Sequence, residues 1–278
     1  MMKFLTLSSG LLSLTAGVLA DINYQIKGYN IHTGQEHPVS THPITNISSS
    51  SFVASKSASV QARADISYSG NWCGASQNPP SGSSFTNVFG IWNVVSVSPR
   101  SGQADSDHPV LCQWVGIDGT GACDGLLQCG QFSQINDDGS QSNFAFWEYI
   151  PGPAMSIDNF PINAGDNVAG NVTVTSSTSG IMEVINYTTG LGVIVTVSGG
   201  GGTLCGQSAE WILEDPSSNG LLPFPNYNTA TYFAASATMN NGASVGFDGS
   251  TDIYLVSNNS IVCQAAEDSN GNLVVTND

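Results

Sequence analysis

Glu210 and Glu214 stand four residues apart in the strand-length run Ala209-Glu210-Trp211-Ile212-Leu213-Glu214, and Glu148 stands in a second such run, Phe144 to Ile150. An extended chain turns alternate side chains to opposite faces. Ala209, Trp211 and Leu213 then share one face, and Glu210, Ile212 and Glu214 the other. In the second run Glu148 points with Phe144, Phe146 and Ile150, while Trp147 and Tyr149 point away. A carboxyl set among apolar neighbours costs burial free energy unless it is hydrogen-bonded, protonated or used. The bland alternative, an acid on a solvated sheet face, stays open for each of the three. Used, such groups do general acid–base work, and an unperturbed Glu titrates at about 4.3, so an acid medium suits them.

Rival chemistries have few residues to work with. His108 is the one His after residue 63, it sits in the polar stretch Gly102 to Pro109, and no Gly-x-Ser-x-Gly elbow occurs. One His excludes a multi-His metal site there, and no metal or cofactor is expected. Six Cys (Cys73, Cys112, Cys123, Cys129, Cys205, Cys263) all follow Arg63. An even number in an exported chain is expected to pair as disulfides. The run Gly199 to Gly202 lacks the Lys and the strand–helix setting of a phosphate loop. It reads as a mobile loop between strands.

Charge divides the chain. Lys3, Lys27, Lys56 and Arg63 precede residue 64, and after it 19 acids face only Arg100, a formal charge of −18. Such a surface repels phosphate backbones and anionic lipid, which excludes nucleic-acid and membrane-surface partners and favours a monomer. Residues 1–20 read as a signal peptide: Lys3, an apolar stretch Leu11 to Ala20, and Val18-Leu19-Ala20 before Asp21. The stretch is too short and too interrupted by Ser and Thr to span a bilayer. The chain is therefore expected to be secreted and extracellular. Residues 21–63 read as a removable prosegment rather than a plain linker, ending at Gln61-Ala62-Arg63. The segment's bases, with His32, His37 and His42, complement the acidic domain at 64–278 and make it a candidate inhibitor of that domain. Export makes the sequons at Asn171, Asn186 and Asn258 glycosylation candidates, with a further triplet at Asn46.

The elements that must position these groups are strands. Asn87 to Val97, Asn143 to Ile150, Asn167 to Thr175, Ile181 to Thr188, Gly192 to Ser198, Ala209 to Asp215, Thr231 to Ala237 and Asp252 to Ser257 are short, rich in β-formers and bounded by turn residues. No long stretch carries a capped helical period. The pattern predicts an all-β sandwich or barrel, and about 215 residues suffice for one core.

Three blocks occur in order: Gln113-Trp114-Val115-Gly116-Ile117-Asp118-Gly119, Leu126-Leu127-Gln128-Cys129-Gly130 and Ala209-Glu210-Trp211-Ile212-Leu213-Glu214-Asp215. They resemble the signature blocks of the fungal glutamic peptidases, or eqolisins. Asn71-Trp72-Cys73-Gly74, Trp147-Glu148-Tyr149-Ile150-Pro151 and the stretch from Ser179-Gly180 to Thr188-Thr189-Gly190 extend the likeness, which covers Ala64 to about Ala237 and weakens beyond. The resemblance implies a β-sandwich of two packed antiparallel sheets, of concanavalin-like or jelly-roll type. It implies a secreted, pepstatin-insensitive acid endopeptidase acting on polypeptide substrates through a Gln128–Glu214 dyad. Trp72, Trp114 and Glu148 match residues lining the family's substrate cleft, and Asp118 matches an acid near the dyad. Cys123 and Cys205 match the family's paired Cys; the other four allow three pairings.

Departures bear on specificity. Cys129 follows the catalytic Gln where the family commonly has Thr, and Ile150 replaces the second Tyr of the cleft strand. Gln131-Phe132-Ser133-Gln134-Ile135 lacks the acids and Trp expected after the Gln block. Two other classes fit the bare residues: a glycoside hydrolase with Glu148 and Glu214 as its carboxylate pair, and a lectin-like sandwich with no dyad.

Overall fold

The structure is a computed structural model that describes residues 15–19, 22–47, 50–51, 53–54, 66–218 and 220–278, the first of these segments by its backbone alone. The expected signal peptide lies outside the described residues up to residue 14, and the expected boundary at 63/64 lies outside them entirely. Ahead of that boundary are β1 (Thr15–Leu19), β2 (Ile22–Asn30), β3 (Glu36–His37) and β4 (Ser40–Pro43). There follow β5 (Ile66–Ser69), β6 (Trp72–Gln77), β7 (Phe85–Asn93), β8 (Val97–Ser98), β9 (Val110–Asp118), β10 (Leu126–Ile135) and β11 (Gln141–Ile150). The middle of the chain supplies β12 (Met155–Asp158), β13 (Asn167–Ser176), β14 (Ser179–Asn186), β15 (Leu191–Ser198) and β16 (Ala209–Glu214). Last come β17 (Asn226–Tyr227), β18 (Ala230–Met239), β19 (Ser244–Val245), β20 (Thr251–Ser257), β21 (Ser260–Glu267) and β22 (Leu273–Asn277). No α-helix occurs among the described residues.

Hydrogen bonds run without a break along the order β1-β2-β15-β14-β13-β7-β18-β22-β21-β20-β6-β16-β9-β10-β11-β12-β4. Every one of these pairs is antiparallel; the β5–β20 pair is parallel. The ladder doubles over through β22, β21 and β20, so its two halves stack as the layers of a sandwich. The core between them holds Trp92, Val115, Trp147, Val172, Val195 and Trp211. Rings meet there in pairs, Trp92 with Tyr232 at 5.6 Å, Trp211 with Phe247 at 5.0 Å and Tyr24 with Trp147 at 5.4 Å. Burying each such side chain contributes on the order of 2–3 kcal/mol.

Three features extend or correct the sequence reading. The C-terminal tail, where the family likeness fades, forms the strands through which the layers join. Within Gly199–Gly202, Gly200 is exposed but Gly201 and Gly202 are packed rather than loose: the Tyr149 hydroxyl donates to the Gly202 carbonyl at 2.5 Å. A Cβ on Gly201 would fall 2.5 Å from the Tyr149 ring, and one on Gly202 2.5 Å from the Asp124 backbone. Only glycine permits that approach. Third, the segment ahead of residue 64 is built into the sandwich. β2 pairs with β15 at one end of the ladder and β4 pairs with β12 at the other. The Tyr29 hydroxyl donates to Glu183, the Ser40 hydroxyl donates to Asp158 at 2.8 Å, and His42 sits 3.2 Å from the same carboxylate.

Cys123 and Cys205 are bonded, as the resemblance implies, and Cys73 pairs with Cys263. Cys112 and Cys129 are free, which corrects the expectation that all six pair. Parity is the reason: on adjacent strands Cys112 turns to the outer face of its layer and Cys129 to the core, so their sulfurs cannot meet. The Cys73–Cys263 bridge ties β6 to β21 across a sequence separation of 190. Loop-closure entropy on that scale is worth about 4–5 kcal/mol. A Cys73→Ala, Cys263→Ala chain is expected to lose about that much in denaturant unfolding, and a loss below about 1 kcal/mol would show the bridge to be incidental.

Candidate active site

The outer face of the β11-β10-β9-β16-β6 layer gathers the even-numbered residues of these strands, and strand register sorts them into rows. The first row runs Glu148, Gln128, Gly116, Glu210, Ser76. The second runs Phe146, Gly130, Trp114, Ile212, Gly74. The third runs Phe144, Phe132, Cys112, Glu214, Trp72. Gln128 and Glu214 therefore share a face but lie two rows and two strands apart. Trp114 bridges the gap. Its Nε1 donates to Glu214 Oε2 at 2.8 Å, and its Cζ3 comes within 3.0 Å of where a Cβ on Gly116 would lie. That missing Cβ would also stand 3.0 Å from Leu126 Cδ1 and 3.2 Å from Gln128 Cβ, so glycine lets Trp114, Leu126 and Gln128 close over the strand.

Glu214 is fully buried and surrounded by donors. Besides Trp114, the Cys112 thiol points at Oε2 from 3.8 Å, and Asn71 Nδ2 donates to Oε1 at 3.4 Å. Burial and the neighbouring Glu214 charge push the Cys112 thiol well above its usual range, which keeps it a donor. The backbone N–H of Ser50 donates to Oε1 at 2.9 Å. Trp72 Nε1 and Asn71 Nδ2 hold the Ser50 carbonyl in turn, at 2.9 and 3.4 Å. The Trp72 and Trp114 rings pack edge to face at 5.0 Å, forming a floor under this point.

Gln128 is fully buried and donates through Nε2 to Glu148 Oε2 at 2.8 Å. Burial, and next the Glu214 charge, hold the Glu148 carboxyl well above the ordinary range, with the Gln128 hydrogen bond opposing. Gln128 Oε1 has no hydrogen-bond partner among the described residues, and neither do Ser76 Oγ or the two Glu210 oxygens in the same row. Burial drives the Glu210 carboxyl well up. Behind Glu214, burial and the Glu214 charge raise Asp215 to about 8 against the pull of Arg100.

Of the residues expected to line a cleft, Trp72, Trp114 and Glu148 stand on this face. Asp118 has other work: its carboxylate accepts the backbone N–H groups of Cys205, Gly206 and Gln207 at 2.8, 2.9 and 2.8 Å. With its lone pairs so engaged it fixes the loop carrying Cys205 rather than facing a ligand. Among the sequons, Asn186 is fully buried and its Nδ2 donates to Pro161 and Asp166, so this fold leaves no room for a glycan there. Asn171 is half-buried and its Nδ2 donates to Glu183, whereas Asn258 lies exposed at the β20–β21 turn. Sequence reasoning missed Asn71, Cys112 and Ser50 as neighbours of Glu214. The even parity of Cys112 with Trp114 could have flagged one of them; the other two come from outside the strand.

The Peptidase A4 family model matches residues 70–277, which carries the likeness through the tail. Aspergillopepsin-2 of Aspergillus niger is 33% identical over 215 residues, 72% of this chain and 74% of the relative. Scytalidopepsin B of Scytalidium lignicola is 34% identical over 197 residues, 68% of this chain and 71% of the relative. Scytalido-glutamic peptidase, solved with a transition state analog inhibitor, superposes with a TM-score of 0.65 at 29% identity, over 75% of this chain and 98% of that one. Aspergilloglutamic peptidase from Aspergillus niger gives 0.57 at 33% identity, over 61% of this chain and 99% of that one.

Proposed function

Because the chain belongs to the peptidase A4 family, we propose that it is an exported endopeptidase that hydrolyses polypeptides at acid pH with Gln128 and Glu214 as its reacting groups. The observation that carries this reading is the single face on which Gln128, Glu148, Trp114 and Glu214 stand, with Trp114 between the amide and the carboxylate. Glu214, as carboxylate, takes a proton from a water while the water oxygen bonds to the scissile carbonyl carbon. The carbonyl oxygen gains negative charge and meets the Gln128 amide, whose second N–H is not used by Glu148. Glu214 then returns the proton to the amide nitrogen as the C–N bond breaks. Trp114 and Asn71 orient the carboxylate, and Glu148 orients the amide. Carbohydrate-directed readings gain nothing from the relatives.

Glu210 supplies a second reading, since it shares a row with Gln128 and its oxygens are unpartnered. The two acids differ in what faces them: Glu214 meets N–H donors, Glu210 none. Those donors fix the Glu214 oxygens in one orientation, which favours Glu214. The test is cleavage of an unfolded protein at pH 3 and pH 6.5 by the acid-matured chain, with and without pepstatin. Pepstatin-resistant cleavage at pH 3 is expected; a folded protein that cleaves nothing overturns the reading.

Residues 21–63 act as the inhibitor in this scheme, since the Ser50 N–H takes the Glu214 oxygen that a water needs. Ser50→Pro deletes the N–H, and a hydrogen bond to a charged group is worth about 1.5–3 kcal/mol. The full-length variant is expected to show at least tenfold more activity than the wild-type precursor at pH 6. Equal latency in the two chains would reject the inhibitory contact.

A further inference from the structure

The site face carries an apolar patch for which the dyad has no use. Phe132 packs on Phe144 with ring centroids 5.2 Å apart and on Phe146 at 4.6 Å. Phe144, Phe132, Cys112 and Glu214 follow one another across four strands in one row, so the patch starts two strands from Glu214. Phe132 and Phe146 belong to a larger apolar cluster on this face with Cys112, Trp114 and Ala154, and the side chains packed against that cluster include Phe144 and, from the segment ahead of residue 64, Ile44 and Ile47. The Ile44 N–H donates to the Ala154 carbonyl at 2.9 Å. Ser50, six residues on, reaches Glu214. The same segment thus sets apolar side chains on the apolar cluster of the site face and a backbone N–H on Glu214, as a polypeptide bound for cleavage would.

We propose that Phe132, Phe144 and Phe146 form a subsite for one aliphatic or aromatic side chain of the polypeptide substrate, which Ile44 and Ile47 fill in the precursor. The proposal rests on the reading of Glu214 as the reacting carboxylate. An acidic chain that lines one subsite only with apolar groups selects at that position by hydrophobic fit. Selection by fit alone runs at about 10- to 200-fold for the groups concerned.

The experiment uses the full chain, matured in acid, on peptides varied to Ile, Phe, Ser, Asp or Lys at each position within four residues of the scissile bond. At one position Ile and Phe are expected to exceed Ser and Asp at least tenfold in kcat/KM. Phe144→Ser and Phe132→Leu are each expected to narrow that ratio severalfold while leaving selection at the other positions and the pH profile unchanged. No apolar preference at any position, or one that both variants leave intact, overturns the subsite. The two readings fail separately. If Glu214→Gln is inactive and no preference appears, the subsite alone is wrong. If Glu214→Gln stays active while Phe144→Ser loses the preference, the dyad alone is wrong. Hydrogen exchange in the unprocessed chain gives a readout independent of turnover. Ile44→Ser, Ile47→Ser is expected to speed exchange of the Ser50 amide at least tenfold, and unchanged exchange counts against the subsite even in a chain that cleaves nothing.

Discussion

Glu214→Gln is expected to lower kcat/KM for peptide cleavage about 10⁴-fold without loss of fold, the full range that a positioned acid–base group contributes. Glu214 serves both proton transfers, so removing its basicity stops the attack and the departure together. Gln at this position keeps one acceptor for the Trp114 indole or for Asn71, and it removes a buried charge. A melting temperature near that of the wild type is the control. Gln128→Ala takes away one oxyanion donor, a loss of about 10²- to 10³-fold. Because the two groups act on one transition state, the double variant is expected to fall no further than Glu214→Gln alone. Glu210→Gln, four residues along the same strand face, separates the readings. Activity within a few-fold of wild type is expected, since an amide replaces a carboxyl already neutral in acid. If Glu210→Gln is the inactive variant and Glu214→Gln the active one, the assignment of the base is reversed.

Much of the fold was legible because β-formers run in strand lengths between turn residues. Gln141–Ile150, Ala209–Glu214 and Thr251–Ser257 lie within a residue or two of the runs read from sequence. The strands that carry the site were less legible as strands. Val110–Asp118 is buried at every position, and in Leu126–Ile135 only Gln134 is partly exposed, so neither alternates between apolar and polar. Polar residues even face the core. Gln131 accepts the Trp92 indole N–H at 2.7 Å and donates to Gln113 at 3.0 Å, which donates on to the Asn93 carbonyl at 3.2 Å. A satisfied buried network costs little in the fold, yet in sequence it imitates a loop. Those strands were found by motif instead. The motif also matched Asp118 to an acid near the dyad, and only coordinates could show three loop N–H groups claiming its carboxylate. Ser50 was beyond reach for a different reason: nothing in a Ser-rich stretch says which backbone amide will land on a carboxylate more than 160 residues away.

The acid-matured domain is expected to melt higher at pH 4 than at pH 7. Glu148, Glu210 and Asp215 are each raised chiefly by burial, Glu148 and Asp215 further by the Glu214 charge, and Asp215 to about 8. A group whose folded pKa exceeds its unfolded one holds a proton that the unfolded chain would release. The stability linked to it is complete below the unfolded value, about 4, and drains away as pH climbs toward the folded value. For Asp215 alone the loss by pH 7 reaches at most about 4 kcal/mol, at 1.36 kcal/mol per pH unit. A domain of this size shifts by about 2–4 °C per kcal/mol, so the melt should fall on the order of 10 °C between the two pH values. The opposing groups act elsewhere on the scale. Asp124, Asp138 and Asp268 are lowered by hydrogen bonds to loop N–H and hydroxyl groups, so their contribution is present above the unfolded value and is lost only below about pH 4. Arg100 is the single Lys or Arg after residue 63, so acidification has few ion pairs to break. Between pH 4 and 7 the raised carboxyls therefore decide the slope. Calorimetry at matched ionic strength checks it, and a higher melt at pH 7 would refute the account. Asp215→Asn should flatten the dependence, because an amide in the same pocket has no proton to lose.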